Sequence, residues 1–137
     1  MATILLIEED DDARPIVRHN LRREGYDVLV AVDEASALDW LSAGCANADL
    51  ILVNLVGQTP AAALAAGRRL RERNGLDGGT PVVVIAERYE PGLEGSDVKA
   101  GQNEWVSYME DTGQLHSLLA RLTGHDGRAG GGAVAPE

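Results

Sequence analysis

Three short apolar runs constrain most of what this chain can become. Residues 2–7 (ATILLI), 49–55 (DLILVNL) and 81–86 (PVVVIA) are nearly unbroken aliphatic stretches. Runs this short and uniform suit strands covered on both faces, as in a parallel sheet. Between them the period changes to that of a helix. Ala13, Ile16, Val17 and Leu21 recur at helical spacing, with Arg14, Arg18, Arg22 and Arg23 on the other face. An Asp in the cap region and Pro15 near the first turn fit the start of that helix, and Gly25 fits its end. Residues 26–31 (YDVLVA) read as a second strand. Asp33 or Glu34 opens a helix that carries Ala37, Leu38 and Leu41 and ends near Gly44. Residues 61–73 form an alanine- and arginine-rich helix. Residues 88–101 hold one proline and three glycines, so any helix there is short and weakly held. Residues 105–108 (WVSY) are a fifth strand, and residues 114–122 a final helix with Leu115, Leu118, Leu119 and Leu122 on one face.

Five strands alternating with five helices predict a doubly wound α/β domain over residues 1–123. Its sheet is expected to be five-stranded and parallel, in the flavodoxin-like (βα)5 order 2-1-3-4-5. A chain of 137 residues has room for one such core. Residues 124–137 (GHDGRAGGGAVAPE) lack apolar periodicity and read as a disordered Gly/Ala-rich tail too short to fold as an output domain, so either partners are expected to supply the output or the chain is cut from a longer protein.

Charge removes several function classes. Twenty-two acidic residues against 12 basic ones give a formal charge of −10. A nucleic-acid surface gains affinity by neutralising phosphates, so direct nucleic-acid binding is not expected, and neither are anionic membranes. No apolar run is long enough to span a bilayer. The early acidic residues do not fit a signal peptide, and the lone Cys45 cannot form an internal disulfide; a cytoplasmic location is expected.

In this topology sites lie beyond the carboxyl ends of the strands, at the switch between strands 1 and 3. That rule singles out Glu8, Glu9 and Asn54. A nucleotide site would need a glycine- or hydroxyl-rich loop after strand 1. Here the loop is Glu8, Glu9, Asp10, Asp11 and Asp12, which repels phosphate and attracts a hard cation. FMN, NAD and ATP are therefore not expected.

With these pieces in order, the chain resembles a response-regulator receiver domain of two-component signalling, with a CheY-like fold. The resemblance covers residues 2–123 and rests on ILLIEED, REGYDV, ADLILVNL, PVVVIA and AGQNEWVSYMED. It implies a fixed set of roles. Two acidic residues after strand 1 help hold Mg²⁺, and an Asp at the end of strand 3 accepts a phosphoryl group from a histidine kinase. A Ser or Thr after strand 4 and a Lys after strand 5 contact the phosphoryl oxygens. Metal and ammonium offset the charge of the transferring group while the carboxylate attacks.

Carried over residue by residue, the acidic pair falls on Glu8 and Glu9 and the acceptor on Asn54. The hydroxyl position falls on Ala86, the lysine position on Tyr108, and the switch aromatic on Trp105. Met109 follows where a proline usually stands, and Gln58 takes the place of the proline four residues after the acceptor, with Pro60 beyond it. The chain's only lysine, Lys99, lies nine residues before Tyr108. A carboxamide cannot form an acyl phosphate. Asn54, Ala86 and Tyr108 together remove nucleophile, hydroxyl and cation. The resemblance therefore implies a degenerate pseudo-receiver: not an enzyme, requiring no cofactor, with at best a weak Mg²⁺ site at Glu8 and Glu9. Expected partners are signalling proteins: a histidine kinase, an output protein, or a second copy in a homodimer. They would use the face that receivers build from their fourth helix, fifth strand and fifth helix.

Several readings stay open at this stage. The acidic run is either a solvated loop or a divalent-cation site. Asn54 either satisfies local hydrogen bonds or mimics one switch state. Trp105 either turns into space beside the small Ala86 or packs on the surface of the strand 4–strand 5 face. Arg68, Arg69, Arg71 and Arg73 form a basic patch that is a solvated helix face or a dock for an acidic partner. His19, His116, His125 and Cys45 have no ligand spacing or activating neighbours. Two other functions compete with the pseudo-receiver: a conventional response regulator phosphorylated on Asp10 or Asp11, and a sensor that binds a small molecule in the vacated pocket.

Overall fold

The computed structural model describes residues 2–42, 48–54, 57–73, 79–86, 92, 93 and 95–124. Cys45, His125 and the tail beyond residue 124 lie outside the described residues. The elements are β1 (Thr3–Glu8), α1 (Ala13–Arg23), β2 (Asp27–Ala31), α2 (Glu34–Ser42), β3 (Leu50–Asn54) and α3 (Pro60–Arg73). They continue as β4 (Val82–Ile85), β5 (Asp97–Gly101), β6 (Glu104–Ser107) and α4 (Thr112–Thr123). All three apolar runs became central strands. The doubly wound α/β architecture is as expected, with a mostly parallel sheet.

Both faces of that sheet are covered, which is why its strands are apolar throughout. Leu5, Ile7, Ile51, Val53, Val82 and Val84 pack with Ala37 and Leu41 of α2 and Ala63, Leu64 and Leu70 of α3. The alternate residues Ile4, Leu6, Leu50, Leu52 and Val83 pack with Leu21 of α1 and with Leu115, Leu118 and Leu119 of α4. Local signals set the helix starts. Thr59 Oγ1 accepts the Ala62 N–H at 3.1 Å, with Pro60 in the first turn, and Asp33 Oδ1 accepts the Ser36 N–H at 2.8 Å.

The strand count and order differ from expectation. Among the described residues the sheet has six strands in the order β2-β1-β3-β4-β6-β5, and β5 runs antiparallel to β6. The expected fifth parallel strand is β6. Where residues 88–101 were expected to hold a short helix, Asp97–Gly101 is an edge strand, joined to β6 by Gln102 and Asn103. The backbone explains the change. Gly92 and Gly95 have φ of 86° and 80°, which no right-handed helix accommodates, and Asn103 has φ of 60°, which suits a tight hairpin turn. A bulge between Lys99 and Gly101 ends the regular pairing. Among the described residues there are four helices, none long and apolar enough to cross a membrane.

Candidate functional site

Glu8 and Asn54 end neighbouring parallel strands and stand opposite each other in register. Both side chains are buried, Glu8 completely. The Asn54 amide donates through Nδ2 to Glu8 Oε1 at 2.8 Å, and the Asp10 N–H donates to Glu8 Oε2 at 3.3 Å. Two neutral N–H donors thus reach the carboxylate at the centre of the site. Asn54 Oδ1 is also buried and has no hydrogen-bond partner.

The rest of the acidic loop is arranged around one cation from the chain itself. Arg14, the second residue of α1, folds back over the loop. Its Nε donates to the Glu8 carbonyl at 3.0 Å, and Nη2 donates to the Glu9 carbonyl at 3.2 Å and to Asp11 Oδ1 at 2.6 Å. Asp10 Oδ1 accepts the Asp12 and Ala13 N–H groups at 2.8 and 3.3 Å, so this carboxylate caps α1. Sequence reasoning placed Arg14 on the solvent face of its helix and missed this strap. The spacing of six residues between Glu8 and Arg14, across a helix start, was the available signal.

These contacts bear on the expected Mg²⁺. Such an ion needs several oxygen ligands converging on one point. Glu8 is turned onto two N–H groups, Glu9 is exposed, and Asp10 is committed to its helix. Among the described residues no three His, Cys, Asp or Glu side chains gather to hold a metal. In this arrangement Glu8, Glu9 and Asp10 do not converge on one point.

Ala86 and Tyr108 lie together at the ends of β4 and β6, on the α2/α3 face of the sheet. Trp105 belongs to the opposite face and, like Ile85, Met109 and Leu122, packs against the second core cluster. In this arrangement Ala86 and the Trp105 ring lie on opposite faces of the sheet. The indole is half-buried near two cations, with Lys99 Nζ at 5.9 Å and Arg121 Cζ at 5.3 Å from the ring centroid.

The basic patch of α3 is mostly spoken for within the chain. Arg68 Nε and Arg71 Nη2 reach the buried Glu104 at 2.8 and 2.5 Å, and Arg71 Nη1 also donates to the Thr80 carbonyl at 3.0 Å. Arg69 pairs with Glu34 at 2.8 Å. Burial alone would raise the Glu104 carboxyl, but the hydrogen bonds and charges of Arg68 and Arg71 outweigh it and hold the group below its ordinary value. His19 is exposed, and His116 stands 3.8 Å from Glu24. A groove over β2, lined by Arg14, Arg18, Val28, Val30 and Trp40, lies apart from Ala86 and Tyr108.

No family model matches the chain. No curated protein matches it either. Solved structures do. A response-regulator receiver protein from Sinorhizobium medicae superposes with a TM-score of 0.68 at 19% identity, over 90% of this chain and 94% of that one. A chemotaxis protein of Vibrio cholerae gives 0.65 at 22%, over 89% and 98%. The receiver domain of a sensor histidine kinase from Pseudomonas aeruginosa, with a magnesium ion coordinated in its active-site cleft, gives 0.63 at 25%, over 90% and 98%. The fold is that of receiver domains. In this receiver fold the carboxyl ends of β1 and β3 hold an amide–carboxylate pair, and residues 97–101 of the segment expected to hold the fourth helix form the edge strand β5.

Proposed function

We propose that this chain is a pseudo-receiver, a receiver fold that works in two-component signalling through protein contacts rather than by accepting phosphate. The observation that carries the reading is the 2.8 Å hydrogen bond from Asn54 Nδ2 to the buried Glu8 carboxylate. At the position the resemblance assigns to the phosphoacceptor, the side chain is a hydrogen-bond donor already engaged with its acidic neighbour. Its nitrogen lone pair is delocalised and its oxygen cannot hold an acyl phosphate. At the positions assigned to the hydroxyl and the ammonium, Ala86 and Tyr108 pack in an apolar cluster. On this reading the chain catalyses no phosphoryl transfer and needs no metal.

The competing acceptors have other work. Asp10 caps α1, and Asp11 pairs with Arg14. Partners are proposed to be signalling proteins, in keeping with the histidine-kinase setting of two of the structural neighbours. The surface they would meet differs from the one expected, since strand β5 stands beside β6 and α4 where a helix was expected.

The test is intact-mass analysis after incubation with a small-molecule phosphodonor and Mg²⁺. The native chain gains no phosphoryl mass. The triple variant Asn54→Asp, Ala86→Thr, Tyr108→Lys gains one. An aspartyl phosphate on the native chain overturns the reading.

A further inference from the structure

Among the described residues strand β5 is the terminal strand of the sheet, with no strand paired to its outer edge, and Val98, Lys99 and Ala100 are exposed, Val98 by 37%. Its pairing shows which main-chain groups face outward. The Ser107 carbonyl accepts the Ala86 N–H at 2.9 Å, so the main chain of Ser107 faces β4. Its cross-strand partner Asp97 is therefore in a pair without hydrogen bonds, and directs its own N–H and C=O away from β6. Lys99, two residues on, does the same, while Val98 between them turns inward to Val106. Asp97 and Lys99 also share one face of the sheet. Ser107 Oγ and Gln114 Nε2 hold the Asp97 carboxylate at 2.8 and 2.9 Å. Lys99, 5.9 Å from the Trp105 centroid, has no carboxylate partner among the described residues.

We propose that this edge pairs with the same edge of a second copy, antiparallel about a two-fold axis at Val98, to form one continuous sheet. In that register Asp97 of each copy stands opposite Lys99 of the other, and each such pair exchanges both of its outward main-chain hydrogen bonds. The charge order Asp-Val-Lys is self-complementary only there. A slip of two residues in either direction sets Lys99 against Lys99 or Asp97 against Asp97, and like charges directly opposite are unfavourable. An edge lysine usually guards a strand against such pairing; here the second copy's Asp97 neutralises it. The bulge between Lys99 and Gly101 confines the contact to a short segment, so the dimer is weak and closed. The pairing does not depend on the signalling role proposed above.

Sedimentation equilibrium of the full chain tests it. The weight-average mass rises with concentration from 14.5 kDa toward twice that value. Lys99→Glu alters only an exposed side chain and raises the dissociation constant at least about tenfold, by turning both cross-strand pairs repulsive. In a Cys45→Ser background, Val98→Cys crosslinks efficiently on oxidation. The opposed α-carbons of that pair lie about 4.5 Å apart, inside the disulfide range of roughly 4.4–6.8 Å. Ala100→Cys does not crosslink. A monomeric mass at every concentration, a dimer indifferent to Lys99→Glu, or crosslinking through Ala100→Cys in preference to Val98→Cys overturns the proposal.

Discussion

At Asn54 one nitrogen in place of one oxygen changes what the strand ends can do. The amide donates to Glu8 where a second carboxylate would repel it, so the two side chains bond directly. Asn54→Asp places two buried carboxylates within hydrogen-bond distance of each other, where one must take a proton or share a metal. In chelator the variant loses about 1–3 kcal/mol of stability in denaturant titration, and millimolar Mg²⁺ restores part of the loss while leaving the native chain unmoved. Glu104 gives a second prediction. Its carboxyl is held below the ordinary value of 4.5, so its contribution is complete above that pH and falls away as the pH drops below it. Glu104→Gln leaves Arg71 buried with its charge uncompensated and costs about 3 kcal/mol at neutral pH. The deficit narrows below the ordinary glutamate pKa, which acid-unfolding curves of the two proteins check. The sequence pointed to Glu8 and Asn54 through the strand-end rule alone. It did not reveal the Arg14 strap or the Glu104 cluster, because both join side chains across loops and elements whose packing no local period encodes.

Elements were legible where one local signal was strong. The apolar runs of β1, β3 and β4, the arginine-faced α1 and the leucine stripe of α4 all fold as their periods dictate. The hairpin of β5 and β6 was not seen. Residues 97–101 (DVKAG) contain a single β-branched side chain, and the βα rhythm favoured a helix there. The decisive signal was chemical rather than periodic: left-handed glycines at 92 and 95, and an Asn at the turn. Close approach between elements is another property that periods do not carry. A β-carbon at Gly67 of α3 would overlap Val82 Cγ1 of β4. Gly67→Ala therefore lowers stability by about 1–3 kcal/mol despite the better helix propensity of alanine. A thermal midpoint at or above that of the native chain would contradict this packing.

The whole molecule divides its core between two faces of one sheet, and the division explains which site residues meet. Glu8 and Asn54 converge because β1 and β3 are parallel neighbours in register. Ala86 and Tyr108 fall on one face and Trp105 on the other, so an aromatic switch coupled to residue 86 through direct contact has no path in this arrangement. The fold is shared with receiver domains, while the strand ends carry a bonded pair in place of an open carboxylate. The side-chain amide of Asn54 reports on that pair directly. In nitrogen-edited NMR spectra its two protons should be distinct, slow to exchange with solvent, and unshifted by millimolar Mg²⁺ with a phosphodonor present. Fast exchange, or a shift that saturates with Mg²⁺, would mean that Glu8 is free to take a cation and would contradict the account.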